Sequence, residues 1–395
     1  MYPDFSYILH ALLGTPVDNW TSIIKTFGLM LAIAFFASAY LLTLEFKRRE
    51  QNGSLLPQQT SITFGAKATT QDIISNALLG FILGFKIVYI FSHFEAFKTD
   101  AASVLFSLQG NWIAGIGLGT LFGWWRYWDT NRSALPEPQT KLINIFPHER
   151  VGDITIVAAI SGIIGAKLMA IVESISNIKA FVNDPVGQLF SGSGLAIYGG
   201  LIVAFFVVSW YTRRLGIPML QMMDAAAPAL MIGYGVGRLG CHLSGDGDWG
   251  IVNTMPKPSW LFVPQTWWAF DYPHNVINEG ILIDDCTANY CRKLEQTVFP
   301  TSIYECIMAF GITGILWYLR KRIHIAGMLF FIYLILNGFE RFWIEKIRVN
   351  EKYNLPGGIK ATQAELIAIA FFIIGITGVL VLYNRHKKGI NQNNT

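Results

Sequence analysis

Charge is what this chain has least of. Only 14% of its 395 residues are Asp, Glu, Lys or Arg, while 52% are hydrophobic; a soluble domain of this size is about a quarter charged. That shortage, with a positive mean hydropathy, excludes an ordinary soluble enzyme and leaves an integral membrane protein. The net charge of +4 is small and spread over loops with no basic stripe, so nucleic acid is not an expected partner. Four cysteines are too few for a disulfide scaffold. Cys286 and Cys291 are near enough to pair if their loop faces an oxidising compartment, and two unrelated loop thiols are an equal reading. A basic n-region is also missing. The first lysine is Lys25, so no cleavable signal peptide is expected and the first apolar segment reads as a retained span.

What is present is a succession of apolar stretches of spanning length. They predict nine helices, near 23–44, 73–93, 111–128, 153–174, 194–212, 223–242, 302–319, 325–343 and 362–384. The expected fold class is therefore all-α: a polytopic transmembrane helix bundle in which residues 1–395 form a single membrane-embedded domain. Basic runs follow alternate helices, "KRRE" after the first, "RYWDTNR" after the third, "TRR" after the fifth, "RKR" after the seventh and "RHKK" after the ninth. Positive loops stay in the cytoplasm, which puts the N-terminus outside and the C-terminus inside. One large extracytoplasmic loop remains, residues 243–300, rich in Trp, Pro, Asp and Asn.

The chain also resembles itself. "DIISNALLGFILGFK" (Asp72 to Lys86) and "DITIVAAISGIIGAK" (Asp153 to Lys167) match at Asp, Ile, Ala, Gly and Lys, and each precedes a Gly-rich helix. Small residues favour close helix packing in any membrane protein, but the matched Asp-to-Lys spacing favours a duplicated helical hairpin over residues 70–132.

In so apolar a chain, charge inside a span needs a reason, because an arginine at mid-bilayer costs about 2.5–3.5 kcal/mol on insertion scales. "MIGYGVGRLGCHLSGDGDWG" carries Arg238 near the end of the sixth helix, with His242 one turn on and Asp246 and Asp248 just beyond. Snorkelling to the interface would account for a lone Arg238; its neighbours favour a site. In "ERFWIEKIRVN", Arg341, Glu345 and Arg348 share one helix face. A surface ladder would explain them in water, but the preceding "GMLFFIYLILNGF" sets Arg341 at membrane depth. "FPTSIYE" opens the seventh helix with Tyr304 and Glu305, where an acid is ordinary dipole complementarity. Two arginines with a lysine such as Lys167 make a phosphate clamp, and the phosphate abundant at that depth is a phospholipid headgroup.

This combination resembles the prolipoprotein diacylglyceryl transferase family of bacterial inner membranes. "LQMMDAAAPALMIGYGVGRLG" to "DWG" is similar to its D-x-x-A-P…G-R-x-G-N-F-x-N-G-E-x-x-G signature. "FPTSIYE" is similar to H-P-[ST]-Q-L-Y-E, and "RFWIEKIR" to R-F-x-[VI]-E-x-x-R. "GLAIYGGLI" looks like the family's H-G-G-L stretch, "IIGAK" like G-[AG]-R and "TFGLM" like W-Y-G-L-M. The sequence departs from the pattern at Tyr198, where the family has histidine, at Cys241, where it has asparagine, and at Phe27, where it has tyrosine. One extra residue lets either Asp246 or Asp248 stand for the family glutamate, and the hairpin at 70–132 has no counterpart in the common seven-helix form.

The resemblance implies transfer of the diacylglyceryl group of phosphatidylglycerol to the lipobox cysteine of a prolipoprotein signal peptide, with both substrates reached from the bilayer. On this reading catalytic roles are expected for Arg238, Arg341, His242, Tyr198 and Glu345. Substrate contacts fall to Lys167, Gly199, Gly200, Cys241, Asp246, Asp248, Gly250, Tyr304, Glu305 and Arg348. His242 is the expected base, since adjacent Arg238 disfavours its protonated form; a merely interfacial histidine is an equal reading. Tyr198, with an intrinsic pKa near 10, suits hydrogen bonding better. Cys241 reads as a buried thiol rather than a nucleophile, because the acceptor brings its own cysteine. "GDGDWG" lacks the ligand spacing of a calcium loop, so neither metal nor cofactor is expected. Rival readings are an anionic-solute transporter or channel, which would repeat the arginines in its other half, and a phospholipid-binding protein without turnover.

Overall fold

The computed structural model describes residues 1–99, 104–105, 107–190, 196–350, 352–354 and 360–393. Nine long helices run through the described residues: α1 Thr26–Gln51, α2 Thr70–Ser92, α3 Trp112–Arg132, α4 Val151–Val172, α5 Ile197–Arg214, α6 Met219–Ser244, α7 Thr301–Leu319, α8 Met328–Glu345 and α9 Gln363–Asn393. They coincide with the nine apolar stretches. Five segments, Thr26–Gln51, Thr70–Ser92, Pro147–Val172, Thr301–Leu319 and Gln363–Lys388, are long and apolar enough to cross a membrane. The helices form two compact units, one of residues 1–54 and 216–395, the other of residues 55–215.

In the first unit α6 packs against α1, α7 and α8, and α9 packs against α8. The glycines of "GYGVGRLG" explain how α6 takes so many neighbours. A Cβ on Gly235 would lie 2.8 Å from the Phe310 ring of α7, and one on Gly240 2.8 Å from Met30 of α1. The Ser38 hydroxyl of α1 donates to the Ala229 carbonyl of α6 at 2.8 Å. Met231, Ala309, Ile312, Leu316 and Leu329 form the apolar core between these helices.

The segment between α6 and α7 folds around its own small core of Trp249, Tyr272, Leu294 and Val298. Asn275 is fully buried and its amide donates to the carbonyls of Tyr272, Glu279 and Arg292, replacing regular strand pairing. Cys286 and Cys291 form a disulfide with a Cα separation of 5.5 Å.

The second unit holds two helical hairpins, α2 with α3 and α4 with α5. Their crossings are built alike. A Cβ on Gly84 would collide with the Ala114 carbonyl and meet Leu118 Cβ at 3.0 Å; a Cβ on Gly165 would lie 2.5 Å from both the Gly199 carbonyl and Val203 Cβ. The Lys86 ammonium donates to the Ser107 carbonyl and hydroxyl, while the Lys167 ammonium donates to the Gln188 carbonyl at 3.4 Å. Each lysine thus reaches 21 residues down its own connection.

Among the described residues three two-stranded ribbons depart from the purely helical expectation: Gln58–Phe64 with Gln139–Ile145, Ile281–Leu282 with Arg292–Lys293, and Lys352–Asn354 with Lys360–Thr362. They are short and lie in connecting segments, where alternating Thr, Ile and Gln gives only a weak strand signal.

Candidate active site

The charged residues singled out in the sequence converge at one end of the first unit. Arg238 leaves α6 one and a half turns before its end, Glu305 sits in the first turns of α7, and Arg341 and Glu345 close α8. Antiparallel packing of α6 and α8 against α7 brings these ends together. Glu305 is fully buried and is the hub. It pairs with Arg238 Nε at 2.7 Å, Arg341 Nη1 at 3.4 Å and Arg348 Nη1 at 2.8 Å, and it accepts the Tyr234 hydroxyl at 2.5 Å.

Asp248 closes the cluster from the outer side, pairing with both Arg238 and Arg348. Its position depends on the glycines around it. Gly245 and Gly247 take φ of +65° and +97°, the left-handed region that side chains avoid. Gly250 bridges to Arg348, and a Cβ there would lie 2.5 Å from the Ile347 carbonyl. Burial raises the Asp248 carboxyl, but Arg238 and Arg348 outweigh it and hold the group below the usual carboxylate range. Neighbouring Asp246 goes the other way, raised by burial and by the charge of Asp248. Glu345, buried, pairs with Arg341 at 3.4 Å and accepts the Asn350 amide at 2.6 Å.

Three guanidiniums and three carboxylates therefore match one another. Two residues that the sequence reading passed over complete the picture. Tyr234 lies under the Arg238 guanidinium, 5.2 Å from its ring centre, and its i, i+4 relation to Arg238 was a usable signal. Glu340 is 2% exposed, and among the described residues neither carboxyl oxygen has a partner within hydrogen-bond distance and angle; an acid in an apolar helix beside Arg341 was the corresponding signal.

The remaining expected residues lie elsewhere. The His242 ring rests among aromatics, with Nδ1 3.3 Å from the Tyr272 hydroxyl and its plane near Phe270. Its recorded partners do not include Arg238, on which its expected neutrality was argued. The Tyr304 hydroxyl donates to the Trp267 carbonyl, in the segment between α6 and α7, at 2.7 Å. Cys241 is a buried free thiol. Its sulfur and the carboxylates of Asp246 and Asp248 fall within 4.8 Å of one another, but Asp248 already serves two arginines and a metal ion would have to displace them. Lys167, Tyr198, Gly199 and Gly200 belong to the second unit. There Gly199 and Gly200 are used in packing against α4, where a Cβ on Gly200 would lie 2.8 Å from the Gly162 carbonyl.

Comparison with known proteins decides the family. Residues 104–381 match the family model described as prolipoprotein diacylglyceryl transferase. The chain belongs to this family. It is similar to a phosphatidylglycerol–prolipoprotein diacylglyceryl transferase of Corynebacterium glutamicum, 29% identical over 61% of this chain and 71% of the relative. A Clostridium tetani enzyme of the same name is 27% identical over 58% and 80%, and one of Dehalococcoides mccartyi 25% over 75% and 97%. With its apolar helices, membership makes this chain a multi-pass membrane protein and a transferase. The match opens at residue 104, so it takes in α3, the second helix of the hairpin at 70–132.

Proposed function

We propose that this chain transfers the diacylglyceryl group of phosphatidylglycerol to the lipobox cysteine thiol of prolipoproteins. The observation that carries the reading is the buried cluster of Arg238, Arg341 and Arg348 around Glu305 and Asp248.

The cluster is neutral as it stands, so an entering phosphate has to take guanidiniums from a carboxylate. Asp248 is the one to yield. Its side chain is 31% exposed, whereas Glu305 and Glu345 are fully enclosed, and glycines on either side let its loop move. The headgroup phosphate then lies against Arg238 and Arg348 where Asp248 lay, with Arg341 beside it. Attack by the acceptor sulfur on the glycerol carbon forms the C–S bond and breaks the C–O bond to phosphate. The electron pair leaves on glycerol phosphate, whose growing charge the arginines stabilise. The thiol, with a pKa near 8.5 when free, must lose its proton first. His242 is the proposed acceptor, because its ring meets neutral aromatic groups and, among the described residues, has no acidic partner to hold it protonated. Lys167 and Tyr198 enter this proposal through the family motifs alone.

All nine helices are proposed as spans, in a bacterial inner membrane, with the cluster toward the outer leaflet. The Cys286–Cys291 disulfide supports an oxidising side for the segment at 243–300. The two hairpins with matched glycine crossings support duplication at 70–132.

The test mixes purified protein with phosphatidylglycerol and a lipobox peptide and follows the peptide's mass and glycerol phosphate release, with Arg341→Ala as control. A diacylglyceryl mass gain that disappears in the control supports the reading. Arg341-dependent lipid binding with no mass gain replaces it with a binding protein.

A further inference from the structure

The opposite end of the first unit carries a second charged cluster that the reaction does not use. Glu45, fully buried near the end of α1, pairs with Arg48 at 2.6 Å, Arg49 at 2.8 Å and Arg320, past the end of α7, at 2.6 Å. Arg49 also reaches toward Asp224 of α6 at 3.8 Å, and Asp224 accepts the backbone N–H groups of Gly327 and Phe330 at the start of α8. One buried carboxylate thus fixes three guanidiniums, and a second ties that assembly to a helix start.

In front of it lies an open hollow of about 330 Å³. Lys47, Arg48, Arg320 and Lys321 line it with Leu44, Gln51 and Trp317, and no acid among the described residues does. Arg320 stacks on the Trp317 ring, 3.2 Å from its centre, and so cannot fold away. Lys47 and Lys321 are exposed and have no ion-pair partner among the described residues. A surplus of positive charge, oriented from behind and open in front, selects an oxyanion. The apolar pair Leu44 and Trp317, at the ends of helices with exposed apolar faces, adds a surface for the chain of a lipid.

We infer that this hollow binds the phosphate of an anionic phospholipid headgroup, at a site separate from the Glu305 cluster. The two lie at opposite ends of α6, with Asp224 and Arg238 about 21 Å apart along the helix. The inference does not depend on the proposed transfer reaction.

The experiment counts lipids bound to full-length protein in detergent by native mass spectrometry, with phosphatidic acid as probe and phosphatidylcholine as control. The double variant Lys47→Gln/Lys321→Gln, changed only at exposed side chains, is compared with wild type; an unaltered thermal transition shows that it is folded. Expected is one fewer phosphatidic acid per protein in the variant, with roughly thirtyfold weaker affinity for that equivalent, about fivefold for each lysine removed. Millimolar inorganic phosphate that occupies wild type but not the variant, and strips this lipid, would assign the same oxyanion site to a soluble phosphate. Equal phosphatidic acid counts in the two proteins, or phosphatidylcholine retained as well, would overturn the inference.

Discussion

At the scale of single residues, the cluster separates carboxylates that are needed from one that is not paired. Glu305 compensates three guanidiniums. Removing its charge leaves buried cations without a partner, a loss of about 3–5 kcal/mol where buried pairs are broken. Glu305→Gln is therefore expected to lower the thermal transition in detergent sharply and to abolish transfer. Glu340, equally buried, forms no ion pair among the described residues. Glu340→Gln breaks no salt bridge, so its expected cost is within about 1 kcal/mol. A Glu340→Gln transition that falls as far as that of Glu305→Gln would show that Glu340 carries charge that the network needs. Glu340 and Tyr234 carried only a local signal, adjacency to Arg341 and the i, i+4 relation to Arg238, and the partner that gives Tyr234 its weight, Glu305 of α7, is set opposite it by packing. Arg238 and Arg341 could be placed from sequence, since a guanidinium inside an apolar run is costly wherever the helix packs.

At the scale of elements, the helix crossings and the Asp248 loop make separate predictions. Gly84→Ala and Gly165→Ala drive a Cβ into a backbone carbonyl in corresponding places, and backbone cannot step aside as a side chain can. Each is expected to destabilise its hairpin by about 1–3 kcal/mol. Gly152→Ala, also on α4 with nothing within 4 Å of the new Cβ, should be neutral or gain up to about 1 kcal/mol in helix propensity. Urea unfolding of the three variants checks the contrast; a Gly152→Ala loss matching the others would mean the crossings are not tight. In the loop, Asp248 titrates below an ordinary carboxylate, so its ion pairs contribute stability above the unfolded-state pKa near 3.9 that is lost as pH falls through the lower folded value. Asp248→Asn should remove that acid-dependent share. If the wild-type and variant transitions fall in parallel between pH 5 and 3, Asp248 is not held by its arginines. The helices were legible because apolar length and basic ends are properties of each segment alone. The Gln58–Phe64 and Gln139–Ile145 ribbon was not, because its strands are far apart in sequence and neither alternates strongly enough to stand without the other.

At the scale of the whole molecule, the membrane imposes an arrangement that the first unit displays. Two charged clusters, one around Glu305 and one around Glu45, terminate the same helices with the Met231, Ala309 and Leu316 core between them. A separation of about 21 Å along α6 lies inside a hydrocarbon thickness of about 30 Å, so the proposed topology sets both clusters at or just within the interfaces. Their characters differ: the Glu305 cluster is balanced in charge, and the Glu45 cluster carries surplus cations. Positive residues accumulate on the cytoplasmic side, and the proposed topology accordingly turns the Glu305 end, and with it the disulfide-bearing segment, outward. This predicts a sided labelling pattern. In intact cells a membrane-impermeant maleimide should reach Cys286 and Cys291 after mild reduction, while a Lys321→Cys variant should label only in inverted vesicles. Label on Lys321→Cys in intact cells would reverse the topology. The thiol acceptor would then meet the arginines from the cytoplasm, and the disulfide would sit in a compartment that keeps thiols reduced.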